Sequence, residues 1–342
     1  MTLNRIMLAA LCALAFVMPT NARALVIKLA TVAPKDSAWS DYLQEVDRKW
    51  REASNGTVQL RIYAGTLGDE SDIMRRIRIG QIDAATVTTV GLATVDPSAT
   101  AMHIPLAFDS SKELHYVEDR ITPDIEKVLR EKGIVVINWG EGGWVRFFTK
   151  TPLQRPADLR KLKLFVWATG DTTRAEEIWK AVGVKPVPLS TVDILPALQT
   201  DLITAYQAPP LAALANQWFA FTNYMTDMKW APLVGATIVS TDAWSKIPSG
   251  LQPRLMQIAR DAGKRLDARV RQTEAAAIEA MTKRGLKLVP VPPDALQEWQ
   301  KLTLSLYPEI RGRMIPVQYF DKVLHLRDEH RASNPPSTRV AN

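Results

Sequence analysis

Residues 251–284 read LQPRLMQIARDAGKRLDARVRQTEAAAIEAMTKR, with no proline after Pro253 and a helical pattern that holds to Arg284. At 1.5 Å per residue such a helix is a rod of roughly 45–50 Å. That exceeds what one small lobe can cover, so the stretch predicts two lobes with the helix laid across both as a brace. The rest of the chain has to supply those lobes.

Upstream, strands alternate with helices, the pattern of parallel α/β sheets with helices packed outside. Leu25–Thr31 reads as a strand ending in the Ala33-Pro34 turn, and Trp39, Tyr42, Leu43, Val46 and Trp50 then recur at helical spacing up to Asn55-Gly56. Val58–Tyr63 alternates like a strand. Asp69 can cap the helix that carries Ile73, Met74 and Ile77, and Gly80 sits where a left-handed stop is wanted. Ala84–Val87 is a third strand. A long helix from Ser111 to Lys132 stops at Gly133, and Ile134–Trp139 follows as a strand. The same grammar repeats with strands at Val145–Thr149, Leu162–Val166, Pro186–Leu189 and Ala205–Gln207, with helices at Asp171–Val182 and Val192–Thr200 between them. Leu233–Ser240 is a further strand. The reading is an α/β protein whose first lobe takes 25–143 and 234–270 and whose second takes 144–233 and 271–325. Residues 326–342, ending in a Ser-, Pro- and Asn-rich stretch with no packing face, are expected to be disordered.

The N-terminus carries an export pattern. Arg5 gives a positive start, Ile6–Met18 is apolar, and Ala22-Arg23-Ala24 has the small-x-small form read by signal peptidase, so residues 1–24 are expected to be removed after Ala24. A membrane anchor is the competing reading, but the apolar run falls short of the ~20 residues a spanning helix needs. Leu11 before Cys12 is a poor match to lipoprotein cleavage, and Cys12 is the only cysteine. The mature chain therefore has neither disulfides nor thiolate chemistry, which suits an oxidising compartment. Of the formal charge of +7, Arg5 and Arg23 leave with the leader, and short basic runs such as Arg265–Arg271 read as solvated helix faces, so no nucleic-acid partner is expected. No second apolar stretch approaches spanning length, so the mature chain is not expected to insert in the membrane.

Several short pieces, in order, then point to one family: Asp36-Ser37-Ala38-Trp39, Leu67-Gly68-Asp69-Glu70, Ile79-Gly80-Gln81-Ile82-Asp83 and Ile104-Pro105-Leu106-Ala107-Phe108. They continue with Arg146-Phe147-Phe148-Thr149, Asp158-Leu159-Arg160-Lys161-Leu162, Val187-Pro188-Leu189-Ser190 and Leu195-Pro196-Ala197-Leu198-Gln199. The chain resembles the DctP-type extracytoplasmic binding subunits of TRAP (tripartite ATP-independent periplasmic) transporters. The resemblance implies a two-lobed periplasmic solute-binding fold that closes its cleft on a small organic acid and docks on a sodium-driven membrane permease. It implies no cofactor. In the family an arginine within a Leu-Lys-Ile-Arg-Val motif grips the ligand carboxylate with paired hydrogen bonds. Here the stretch is Leu162-Lys163-Leu164-Phe165-Val166, with Phe165 at the arginine's place. A Gly-Gln-Glu-Asn-Pro motif becomes Tyr206-Gln207-Ala208-Pro209-Pro210, keeping only the glutamine and the last proline.

By the same resemblance, Trp144, Phe165, Trp167, Tyr206 and Trp230 face the cleft, joined by Trp39 and Gln207; periodicity alone would put the aromatics in the core. Arg146 begins the strand that enters the second lobe and either meets the ligand or closes a surface or interdomain ion pair. Thr88 and Thr89 follow a buried strand at its C-terminal end, where open α/β sheets place ligands, and can equally serve the turn. A pocket of this kind favours a neutral or monoanionic, largely apolar ligand, with Arg146 and Gln207 orienting it. Trp50, Trp179, Trp218 and Trp299 fall on helices and are left to core or surface. His103, His115, His325 and His330 show no metal-ligand spacing, and His103 reads first as a hydrogen-bonded structural residue. With no nucleophile elbow, phosphate loop or dinucleotide fingerprint, an enzyme ranks third, behind a sensor that would feed a membrane receptor kinase.

Overall fold

The computed structural model describes residues 24–33, 35, 37–65, 67–168 and 172–334. The expected leader up to Arg23, the end of the tail from 335, Pro34, Asp36 and the start of the helix read at Asp171 lie outside them.

Ten strands form one continuous sheet. In the first lobe β1 (Leu25–Thr31) pairs in parallel with β2 (Val58–Ala64) and β3 (Ala84–Thr88). In the second, β5 (Lys163–Trp167) pairs in parallel with β6 (Lys185–Leu189) and β7 (Ala205–Ala208). Two antiparallel strands join these halves: β4 (Ile134–Thr149) and β9 (Ala231–Ser240). A short pair, β8 (Tyr224–Asp227) with β10 (Lys287–Pro290), completes the second lobe and has no counterpart in the sequence reading. The helices start and stop largely where local chemistry dictates. Asp69 accepts from the Asp72 amide as a cap, and Gly80, Gly133 and Gly183 all have positive φ.

The strands read separately at 134–139 and 145–149 are one strand. Gly140, Gly142 and Gly143 lie between the two readings. Gly140 pairs with Gly235 of β9, the Trp39 indole packs over both glycines, and a bulge between Glu141 and Gly143 absorbs the turn into the second lobe. The glycines thin the sheet where it crosses between lobes.

The long helix is Gln252–Thr282. Its first half packs Leu255, Ala259 and Leu266 against Trp50, Leu43 and Val46 of the first lobe, and Met281 near its end enters the core of the second with Phe148 and Tyr206. The brace expected from length alone is therefore present. At Gly263 it passes so close to β4 that a Cβ would lie 1.9 Å from the Asn138 side chain.

The C-terminal assignment is corrected in two respects. The chain stays helical over Val317–Ser333, so 326–333 is ordered rather than a disordered tail. That helix also packs on the first lobe and not the second: Phe320, Val323 and Leu326 join Leu114, Val117 and Ile121 of the helix Ser111–Glu131, and Arg331 pairs with Glu113 (2.5 Å) and Asp109 (2.8 Å). A tail that looks polar in composition still has an apolar stripe, and an existing helix face is there to receive it.

Candidate functional site

A cavity of about 260 Å³ lies where the lobes face one another. The first lobe contributes Val90 and Ala93, just after β3, and Thr100, His103 and Pro105 from the following turn. The second contributes Phe165 and Trp167 of β5, Gln207 of β7 and Trp230 just before β9. Ile178 and Trp179 of the helix Thr172–Ala181 and the segment Arg313–Ile315 close the remaining sides. The walls are thus mainly aromatic and aliphatic, with few polar groups, the usual make-up of a small-molecule site.

Strand alternation explains which residues reach it. On β7, Tyr206 points into the second lobe's core, stacked on Phe148 at 5.0 Å, so its neighbour Gln207 points the other way, into the cavity. Phe165 and Trp167, two apart on β5, share a face and meet edge to face at 5.1 Å. Trp230 is wedged among Phe147 (5.2 Å), Trp179 (6.0 Å) and Trp299 (5.8 Å). The lobes also touch through polar bonds: the Ser190 hydroxyl donates to Asp69 Oδ2 (3.0 Å), and the Leu106 amide donates to the Trp230 carbonyl (2.7 Å).

Of the residues singled out in the sequence, Phe165, Trp167, Gln207 and Trp230 line the cavity. The other six do not. Trp39 covers the crossing glycines, Trp144 is buried in the first lobe's cluster with the Lys229 ammonium 4.9 Å above its ring, and Tyr206 is core. Thr88 caps a short helix and both its amide and its hydroxyl donate to buried Glu70 (2.7 Å each), while Thr89 is fully buried. Thr88 thus has the turn role left open for it, whereas the Thr89 hydroxyl is buried without a hydrogen-bond partner. Arg146, 8 % exposed, pairs with Asp227 (2.8 Å) and Glu274 (3.5 Å), the ion-pair alternative. Trp179, left to core or surface, lines the cavity, and so does the segment 313–315; nothing in their local pattern marked them, because the long-range packing of the C-terminal region brings them there.

His115, from the helix Ser111–Glu131, does find partners that spacing could not show. Its Nε2 lies 2.8 Å from Oε1 of Glu141, a carboxylate that also pairs with Arg271 and accepts from Ser111, while the Glu141 amide donates to Asp267. This cluster sits at the strand crossing, away from the cavity, and Arg271 already places positive charge at its centre. Burial works to raise the Glu141 pKa, but His115 and Arg271 hold it below the usual range; Glu141 in turn raises His115. Burial and then the Asp267 charge push Glu118 up to about 8. Glu118 binds its proton more tightly in the folded state between about pH 4.5 and about 8, and His115 does so above about 6.5, so the stability this cluster lends falls as pH rises across that range. Melting temperature is expected to drop over that interval, and Glu118→Gln to raise stability at pH 8.5 by ~1–2 kcal/mol and flatten the slope. A variant no more stable than the parent at pH 8.5 would contradict this reading of the cluster.

Among the described residues, no helix is long and apolar enough to cross a membrane. The family model for bacterial extracellular solute-binding proteins, family 7 (DctP), matches residues 29–312. A 2,3-diketo-L-gulonate-binding periplasmic protein of Escherichia coli is 23% identical over 245 residues, covering 70% of this chain and 73% of its own. A C4-dicarboxylate-binding periplasmic protein of Rhodobacter capsulatus is 20% identical over 88% of this chain and 91% of its own. Among solved structures, a TRAP periplasmic solute-binding protein of Ralstonia eutropha with bound (S)-2-acetolactate superposes with a TM-score of 0.82 at 21% identity, covering 89% of this chain and 99% of that one.

Proposed function

The chain belongs to the bacterial extracellular solute-binding proteins of family 7, whose members bind ligands rather than transform them, and from that premise we propose that it is the periplasmic capture subunit of a TRAP-type transporter. It takes a small organic molecule into the cleft between its lobes and delivers it to membrane permease subunits. Residues 1–24 direct export and are removed after Ala24, so N-terminal sequencing of the periplasmic protein is expected to begin at Leu25.

The ligand is neutral or monoanionic and largely apolar. The observation that carries this is Phe165, which is 1% exposed and takes part in the cavity wall where the family resemblance puts the clamp arginine. A phenyl ring cannot hold a carboxylate, and burying an unpaired carboxylate is costly. Arg146 offers little relief, since Asp227 and Glu274 already occupy its guanidinium. An apolar or aromatic body instead gains on the order of 25 cal/mol for each Å² removed from water against Phe165, Trp167, Trp179 and Trp230. Gln207 supplies orientation. The acids bound by relatives support a small acid as the general class, with one carboxylate accommodated at the polar edge of the cavity.

Native mass spectrometry on protein purified from its own periplasm tests this, with denaturing extraction to identify what is released. The expected co-purified species carries at most one carboxylate and a largely apolar frame. Recovery of a dicarboxylate or a polyhydroxylated sugar acid would overturn the reading.

A further inference from the structure

His103 has a division of labour that its sequence context did not suggest. Its Nδ1 lies 2.9 Å from the carbonyl oxygen of Pro232. A carbonyl can only accept, so Nδ1 carries the proton and Nε2 holds a lone pair. Burial keeps the imidazole below the usual histidine pKa, so it stays neutral at pH 7. His103 lines the cavity, and no described residue bonds to its Nε2. A lone pair with no protein partner, on a residue of the cavity wall, is left for a ligand to meet.

From the opposite lobe Gln207 presents a similar offer. It is 7% exposed and lines the same cavity, and among the described residues its side-chain amide makes no hydrogen bond. In a cavity walled mainly by Phe165, Trp167, Trp179, Trp230 and aliphatic groups, with Thr100 and Arg313 as further polar members, a ligand that left either group unmet would forfeit a hydrogen bond that water otherwise makes. A site built to bond a hydroxyl rejects the analogue lacking it far more strongly than an apolar pocket rejects a missing methylene.

We propose that His103 is a specificity-determining residue whose Nε2 accepts a hydrogen bond from the ligand, so that the cavity selects a hydroxylated molecule with an otherwise apolar frame. This rests on the apolar monocarboxylate reading above and narrows it. Gln207 holds a second polar point of the same ligand from the other lobe.

The test uses phenylacetate and two hydroxylated forms of it, mandelate and 4-hydroxyphenylacetate, titrated calorimetrically into the mature protein at pH 7.5. At least one hydroxylated probe is expected to bind tenfold or more tighter than phenylacetate. The advantage should fall below twofold in His103→Asn, whose side-chain amide can still donate to Pro232 but does not reach the cavity. It should persist in part in His103→Gln, whose side-chain oxygen can stand near the Nε2 position. Melting curves of both variants confirm folding, and 15N spectra of the histidines in the parent protein should show His103 protonated at Nδ1 alone. Equal binding of all three probes, or an advantage that survives in His103→Asn, would overturn the assignment while leaving the apolar reading intact. Proton at Nε2, or an imidazolium at pH 7.5, would overturn it without any ligand. If none of the three binds and succinate does, the apolar reading fails and this inference fails with it.

Discussion

Arg146→Met is expected to destabilise the folded protein by about 3–5 kcal/mol at pH 7.5, the cost of leaving a buried charge without its partner. The charge left behind is Glu274 on the long helix, whose side chain is 13% exposed, whereas Asp227 at 56% can turn to water. Burial already raises the Glu274 pKa, and Arg146 opposes it. Without the guanidinium the raised value climbs further, so the folded state is penalised above the ordinary carboxyl value and the penalty disappears as pH falls through it. The deficit should therefore shrink between pH 8 and pH 5, and Glu274→Gln in the same chain should recover more than half of it at pH 7.5. Thermal melts at the two pH values measure both effects. An Arg146→Met protein as stable as the parent at pH 7.5 would show that the pair holds nothing together.

Trp230→Ala is expected to cost about 3–5 kcal/mol, as large-to-small changes at buried aromatics do. Trp230 is 2% exposed and joins Phe147 and Trp299 of the second lobe to Trp179. Its backbone also ties the lobes, with its amide donating to Val145 (2.9 Å) and its carbonyl accepting from Leu106 (2.7 Å). The side-chain loss enlarges the cavity and removes one of its walls, so ligand affinity should fall together with stability. Trp230→Phe separates the two, keeping most of the packing while altering the wall. Denaturant melts with a binding assay on both variants check this, and unchanged binding in Trp230→Ala would remove the residue from the site.

Much of this fold is legible because local rules and tertiary structure agree. The capping Asp69, the left-handed Gly80, Gly133 and Gly183, and the unbroken 251–284 pattern each act within a few residues, and each element forms where those signals put it. The crossing strand is not legible as one element because Gly140, Gly142 and Gly143 carry no strand signal of their own; Gly235 opposite and Trp39 above make them a crossing. The helical continuation past residue 325 is not marked in the composition of 326–342; it follows from Phe320, Val323 and Leu326 packing on the face that the helix Ser111–Glu131 offers. In the site, alternation separates Gln207 from Tyr206 only after the strand's faces are known. Trp179, His103 and the segment 313–315 are brought together across more than two hundred residues of chain, and no local pattern encodes that meeting.

The central claim is that an aromatic wall has taken the place of a carboxylate clamp. Calorimetric titration with two panels tests it most directly: C4 dicarboxylates and sialic acid in one, branched and aromatic monocarboxylates with neutral apolar metabolites in the other. Binding is predicted within the second panel, weakened at least tenfold by Phe165→Ala in a variant that still melts cooperatively. Tight binding confined to the first panel and unaffected by Phe165→Ala would contradict the account.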